Sequence, residues 1–227
     1  MIELNWALDH LDDLVFRIVQ HIELAAIPVG IGFAISLLLA IWAVRRRSVR
    51  GPIVSVSSLL YTIPSAALFA ALVPVTGLEI QTAVIPLTLY TLLIYLRNML
   101  AGLDGVAPDV IEAADAMGYG RWQRLVRVEL PLALPLIVGG IRLASVSTIG
   151  LVTVSGILGD RFGGLGYFIF EGYRHNFAIE IVFGAVPTIL LALAVDLLLQ
   201  RVQRRLTPWA PRTVRAIDPG RTSMAQV

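Results

Sequence analysis

The chain has 227 residues, of which 57% are hydrophobic and only 15% are charged. Soluble globular domains carry about 25% charged residues, so this composition excludes an ordinary soluble domain and indicates an integral membrane protein. All 18 basic residues are arginines, and the absence of lysine excludes the ATP-binding loop that ends in Gly-Lys-Ser/Thr. The net charge of only +2 favours a membrane protein with basic loops over one that binds nucleic acid.

The side chains that usually carry covalent or metal chemistry are scarce. There are no cysteines, and His10, His21 and His175 are not spaced as metal ligands. The sequence also lacks the Gly-x-Ser-x-Gly and His-Glu-x-x-His motifs of hydrolases, which disfavours an intramembrane enzyme. We therefore expect no catalytic residue, no metal site and no cofactor in this chain.

The first predicted element is an amphipathic helix over residues 1–23. Apolar side chains recur there at helical spacing, and Asp9, Asp12 and Asp13 lie largely on the other side. Such a helix lies in the membrane surface, here on the outside of the membrane. The alternative is an N-terminus without fixed structure.

Five transmembrane helices follow, because the hydrocarbon core of a bilayer takes about 20 apolar residues in helical form. The windows that qualify are residues 24–44, 52–75, 80–96, 132–158 and 181–199. They predict an all-α membrane domain over residues 24–205. The tail from 206 to 227 mixes proline, arginine, serine and threonine without periodicity, which predicts disorder.

The arginines predict the orientation of this domain. Segments 45–50, 97–130 and 200–227 hold 14 of the 18 arginines, and basic loops stay on the cytoplasmic side. We therefore expect a multi-pass protein of the inner (plasma) membrane, with its N-terminus outside and its C-terminus in the cytoplasm.

Polar and helix-breaking residues inside the second span form a candidate pore or gate. Pro64 interrupts the helix beside Tyr61, Thr62 and Ser65, and broken backbone at membrane depth needs hydrogen bonds from neighbouring helices, hydroxyl groups or water. The alternative is a kink that serves packing alone.

Two charges lie within later spans. Arg142 in the fourth span predicts either a role in a transport pathway or a side chain that extends to the membrane surface. Asp196 in the fifth span is expected to form a local ion pair with Arg201.

The polar loop of residues 97–130 is long for a compact membrane protein, which favours a functional role. Pro108 and Asp109 mark a helix start, and Gly118 occupies the position of a left-handed C-terminal cap. A second helix is predicted from Arg121 to Leu130, with Pro131 opening the fourth span. By periodicity alone, packing on its own bundle explains the first helix better than a docking role does.

This loop resembles the EAA motif of ABC importer permeases, E-A-A-x3-G-x9-I-x-L-P, with Val128 in place of the usual isoleucine. The resemblance implies a coupling helix that docks into a groove on a separate ATP-binding subunit. The residues that it assigns to ATPase coupling are Glu112, Ala113, Ala114, Gly118, Leu130 and Pro131.

Four further segments look like those of osmoprotectant permeases: residues 60–65 followed by 67–69, then 102–112, 122–125 and 163–166. The resemblance implies the MetI-like fold of type I ABC importers. It also implies the permease subunit of an ATP-driven importer for glycine betaine, choline or carnitine, in which a partner chain hydrolyses the ATP.

The partners implied are an ABC ATPase, a substrate-binding protein on the outer face, a second permease subunit, identical or similar, and membrane lipid. The outer residues expected to meet the binding protein are Asp160, Arg161, Glu171 and Arg174. The alternatives are a permease for another small solute, such as methionine or an oxyanion, and a membrane scaffold that recruits a soluble partner through residues 108–130.

Overall fold

The computed structural model describes residues 2–209, with side chains described from Trp6 onward. This part of the chain is helical and contains no strand. The helices are α1 (Ile2–Asp9), α2 (Leu11–Arg45), α3 (Arg47–Thr62), α4 (Ser65–Thr76), α5 (Ile80–Asp104), α6 (Pro108–Ala116), α7 (Arg121–Arg124), α8 (Leu130–Val154), α9 (Gly166–Arg174) and α10 (Ala178–Leu206). A π-helical turn, Leu125–Glu129, joins α7 to α8, and a 3-10 turn, Ser155–Leu158, follows α8.

The five predicted spans correspond to four long apolar helices and one bent pair. The long segments are α2, α5, the continuous run Arg121–Leu158 and α10. The predicted second span is instead α3 followed by α4, whose axes differ by 94°. Pro64 has no N–H and disfavours helical backbone at Ile63, which is extended with ψ 128°.

The N-terminal region differs from the prediction in where it breaks. The helix interruption falls at His10, and α2 then runs without a break from Leu11 to Arg45. The predicted boundary at residue 23 is therefore inside a helix, because the apolar spacing continues across it and Pro28 is accommodated. The predicted tail lies outside the described residues from 210 onward.

The two ends of the helix bundle differ in charge. We call the end that carries residues 45–50, 97–130 and 201–206 the arginine-rich end. Arg50 Nη1 donates to Asp104 Oδ1 at 2.9 Å, which places the end of α5 beside the start of α3. Helices α2 and α5 both end there, so the bent pair α3–α4 carries the chain from the arginine-rich end to the opposite end.

Helix α5 is the centre of the bundle. In the most apolar window of each helix, 72% of α5 is buried but only 11% of α10. Close approach to α5 depends on glycine: a Cβ at Gly32 of α2 would lie 1.8 Å from Thr91 Oγ1, and one at Gly140 of α8 would lie 2.8 Å from Asn98 Cβ. Small residues at such contacts let membrane helices pack closely.

This packing predicts that Gly32→Val destabilises the chain by about 1–3 kcal/mol, because the new side chain overpacks the α2–α5 contact. Gly30→Val is the matched control, since no atom lies within 4 Å of a Cβ built at Gly30. Thermal unfolding in detergent measures both. Equal melting temperatures for the two variants would contradict the glycine contact.

Candidate functional site

The loop between α5 and α8 contains the short helix that the sequence predicts. Helix α6 begins with Pro108 in its first turn, after the extended residue Ala107, and it has Asp109 in its first turn. Proline is favoured there because the missing N–H has no helical acceptor, and an acid there complements the helix dipole. The predicted helix start is confirmed.

The end of α6 is a Schellman motif. Gly118 has φ +82°, its N–H donates to Asp115 O at 3.0 Å, and the N–H of Tyr119 donates to Ala114 O at 3.1 Å. This pattern requires a left-handed residue at Gly118. A Cβ there would meet nothing within 4 Å, so the backbone angle, and not space, restricts this position. The predicted left-handed cap is confirmed.

The three residues at the start of the EAA motif face two directions. Glu112 and Ala113 are exposed, whereas Ala114 is 1% exposed and faces the rest of the chain. The two alanines therefore do not form one outward surface: Ala113 lies on the exposed side of α6, and Ala114 lets α6 lie close to its own bundle.

The second loop helix lies where it was predicted, but only its first half is an α-helix. Residues 121–124 are α-helical, residues 125–129 form the π turn, and α8 begins at Leu130 with Pro131 in its first turn. The N–H of Leu130 donates to Leu125 O, which is the wider π-helical hydrogen bond. The fourth span is thus continuous with the loop and does not open at Pro131.

The four candidate pore or gate residues lie together at the bend between α3 and α4, which we call the elbow (residues 61–65). Tyr61, Thr62 and Pro64 are exposed, and Ser65 is half-buried. Thr62 Oγ1 donates to Leu59 O at 2.7 Å.

A neighbouring helix completes the hydrogen bonding of the elbow. The hydroxyl of Tyr90, on α5, donates to the carbonyl of Ile63, and its ring meets the edge of Tyr61 at a centroid distance of 5.7 Å. The expectation that a hydroxyl group and a neighbouring helix satisfy the broken backbone is confirmed.

Comparison with known proteins assigns the chain to a family. Residues 26–210 match the family described as "Binding-protein-dependent transport system inner membrane component". The chain belongs to this family. It is therefore a multi-pass membrane protein and a transport permease subunit, and the predicted membership in the ABC importer permeases is confirmed.

Several relatives are similar over most of their length. The chain is 37% identical to the osmoprotectant import permease protein OsmW of Salmonella typhimurium, covering 90% of this chain and 97% of that one. It is 37% identical to the carnitine transport permease protein OpuCB of Listeria monocytogenes, covering 86% and 89%. It is 33% identical to the choline transport system permease protein OpuBB of Bacillus subtilis, with the same coverage of 86% and 89%.

A solved structure has the same fold. A chain of the MetNI methionine ABC transporter, in an inward-facing conformation, superposes with a TM-score of 0.75 at 22% identity, covering 86% of this chain and 96% of that chain. The predicted fold class, an all-α type I ABC importer permease, is confirmed.

Arg124 organises the loop of the permease, although sequence reasoning assigned it no role. Its Nη1 donates to both carboxylate oxygens of Asp115 at 2.6 Å, and its Nε donates to Glu129 Oε1 at 2.8 Å. The arginine thus joins α6 to the π turn before α8. The separations of nine and five residues match no helical repeat, so spacing gave no signal.

Arg142, on α8, forms its ion pair with a residue of another helix, α10. Its guanidinium donates to Asp196 at 2.8–3.1 Å and to Gln203 Oε1 at 3.1 Å. The predicted pair between Asp196 and Arg201 was wrong, because residues five apart lie on different sides of a helix. Gln203 Nε2 donates in turn to Pro135 O at 3.0 Å, so α8 and α10 share one polar network.

Another unpredicted contact lies at the end of the bundle opposite the arginine-rich end. His21 is fully buried: its Nε2 lies 2.9 Å from Ile149 O, and its Nδ1 accepts the N–H of Leu165 at 3.1 Å. Since Nδ1 accepts, Nε2 carries the proton and the ring is neutral. Gln20 accepts the N–H of Gly164 at 3.0 Å. The start of α2 therefore fixes the loop before α9.

The Arg142 network predicts that removing one charge of the Arg142–Asp196 pair lowers the free energy of unfolding more than removing both. Asp196→Asn leaves the guanidinium without its counter-charge and costs about 1–3 kcal/mol. Arg142→Gln combined with Asp196→Asn recovers most of that loss, since neither charge remains. Reversible denaturation in detergent measures Asp196→Asn, Arg142→Gln and the double variant, with Arg201→Gln as the control that changes no cross-helix pair. A double variant as unstable as the sum of its two parts would contradict the network.

Proposed function

We propose that this permease is the transmembrane subunit of an ATP-driven importer for osmoprotectants such as glycine betaine, choline or carnitine. The observation that carries the proposal is 31–37% identity, over most of the chain, to permeases named for these solutes. The methionine alternative has less support, because the likeness to the methionine transporter is at 22% identity and concerns the fold alone.

The proposed coupling element is α6 with its flanking turns, docked on a separate ABC ATPase. Exposed Glu112 and Ala113 would meet the ATPase, while buried Ala114 and the left-handed Gly118 set the position and end of the helix. Leu130 and Pro131 would pass its movement to α8; Leu130 packs against the buried cluster around α5.

We place the arginine-rich end in the cytoplasm, where basic loops are retained. The ATPase would then dock at that end, and a substrate-binding protein would dock at the opposite end. There Asp160, Arg161 and Arg174 are exposed, and Glu171 accepts a hydrogen bond from Arg174 at 2.6 Å.

A second permease subunit would complete the pathway at the elbow. Tyr61 is 42% exposed in the single chain, and Thr62 and Pro64 are exposed beside it. The adjoining surface of α4 is lined by small exposed alanines, which permit close approach of another helix. They are Ala66, Ala67, Ala70 and Ala71.

The proposed mechanism is alternating access. ATP binding closes two ATPases, their grooves shift the two α6 helices, and the paired permeases open toward the binding protein. Hydrolysis returns the pair to the inward-facing state. The part of this chain is to bind its partners and move, and the bond cleavage occurs in the ATPase.

Uptake into proteoliposomes tests the proposal, using this chain, any second permease, the ATPase and the binding protein. We expect ATP-dependent uptake of labelled glycine betaine, choline or carnitine. Gly118→Val should reduce uptake severely, because a β-branched residue at positive φ costs about 1–3 kcal/mol and distorts the end of α6. Gly120→Val is the control, since Gly120 has φ −67° and equally open surroundings.

Different negative results would contradict the solute assignment and the coupling role of α6. An assembled complex that hydrolyses ATP but takes up none of the three solutes would contradict the osmoprotectant assignment. Unchanged uptake in Gly118→Val would contradict the role of α6 in coupling.

A further inference from the structure

Helix α6 has little hydrophobic attachment to the permease that it is proposed to move. Of its nine residues only Ala114 is buried. The Schellman hydrogen bonds hold the C-terminal end of α6 only as far as Tyr119, and the chain then continues through Gly120, a residue type with few conformational restraints. A force applied to α6 needs a stiffer connection than this backbone to reach the transmembrane helices.

Arg124 supplies such a connection, which we call the bridge (Asp115, Arg124 and Glu129). Its guanidinium fork holds Asp115, in the last turn of α6, and Glu129, the last residue of the π turn, at 2.6 and 2.8 Å. Both bonds are charge-assisted, and the planar fork fixes the directions of its partners as a flexible ammonium group does not.

The burial of the three side chains indicates a positioning role more than a contribution to stability. Asp115 is 51% exposed, so its ion pair adds little to the free energy of folding. Glu129 is 10% exposed and Arg124 is 22% exposed, so this carboxylate depends on the arginine for its counter-charge. The buried carboxylate, Glu129, anchors the arginine to the π turn, and the exposed carboxylate, Asp115, joins it to α6.

The bridge also reaches the start of a transmembrane helix. Glu129 directly precedes Leu130, where α8 begins and packs on the buried cluster around α5. Trp122 of α7 also contacts Arg45, the last residue of α2, whose guanidinium carbon lies 4.9 Å from the ring centroid. The segment that carries Arg124 is therefore fixed between α2 and α8.

We propose that Arg124 is a positioning residue that transmits movement of α6 to the start of α8. The inference rests on the proposed docking of α6 to an ATPase, and it adds the contacts through which movement of α6 reaches α8. Without the bridge, α6 still docks, but its displacement is absorbed by the glycine-containing turn.

Hydrogen exchange tests the bridge in the permease alone, reconstituted in nanodiscs. Arg124→Gln should raise amide exchange in residues 108–117 by about two- to five-fold, the factor that corresponds to one exposed ion pair. Arg127→Gln is the matched control, because Arg127 is exposed and has no ion pair among residues 2–209. Equal exchange in the two variants would overturn the proposal.

Two fluorescent probes test transmission in the complex with the ATPase. The chain has no cysteine, so Ala116→Cys on α6 and Leu132→Cys on α8 each give one label, and both positions are exposed. In Arg124→Gln the ATP-driven signal at residue 116 should persist while that at residue 132 falls about five-fold or more, the scale of a typical coupling between sites. Asp115→Asn added to Arg124→Gln should change neither signal further.

The remaining outcomes are distinct. A signal at residue 132 that stays normal in Arg124→Gln would overturn transmission through this arginine, even with docking intact. If the fluorescence of the label at residue 116 does not change on addition of ATP in the chain with Arg124 intact, the ATPase does not move α6. The proposed coupling then fails, and the inference about Arg124 fails with it.

Discussion

The structure depends first on the burial of α5. Nearly three quarters of its apolar window is enclosed, at 72%, and α2 and α8 approach it at glycines with no room for a methyl group. Because α5 is enclosed on several sides, it gives the elements around it fixed points of attachment. Its Tyr90 bonds the elbow between α3 and α4, and its Asp104 pairs with Arg50 at the start of α3.

Pro64 causes the elbow, and the elbow is tolerated because the backbone groups that the break frees have hydrogen-bond partners. Pro64 removes an N–H donor and disfavours helix before it, and the resulting 94° bend stays possible because Thr62 and Tyr90 bond Leu59 O and Ile63 O. One of these donors belongs to the bending segment and the other to the buried helix. The elbow is therefore tied to α5 by a side chain on one face, while its other face is exposed and free to meet a second subunit.

Features that are local in sequence could be predicted, and contacts between distant segments could not. Apolar windows located the spans, and Pro108 and Gly118 marked the two ends of α6, because such signals lie within a few residues of the structure that they specify. The pair of Arg142 and Asp196 joins residues 54 apart, and His21 contacts Leu165 across 144 residues. No periodicity of one helix reports such a contact. Pro64 predicted a break but not its angle of 94°, nor the hydrogen bond from Tyr90 to Ile63 O.

The central claim is that the elbow lines a pathway formed with a second permease subunit. Its most direct test is the reactivity of Thr62→Cys toward a membrane-impermeant thiol reagent in the reconstituted importer, with Ser57→Cys as the control because Ser57 is 4% exposed on the same helix. The account predicts that Thr62→Cys reacts, that its rate changes between nucleotide-free and ATP-bound complexes, and that glycine betaine, choline or carnitine slows it. A Thr62→Cys variant that stays as unreactive as Ser57→Cys in both states would contradict it.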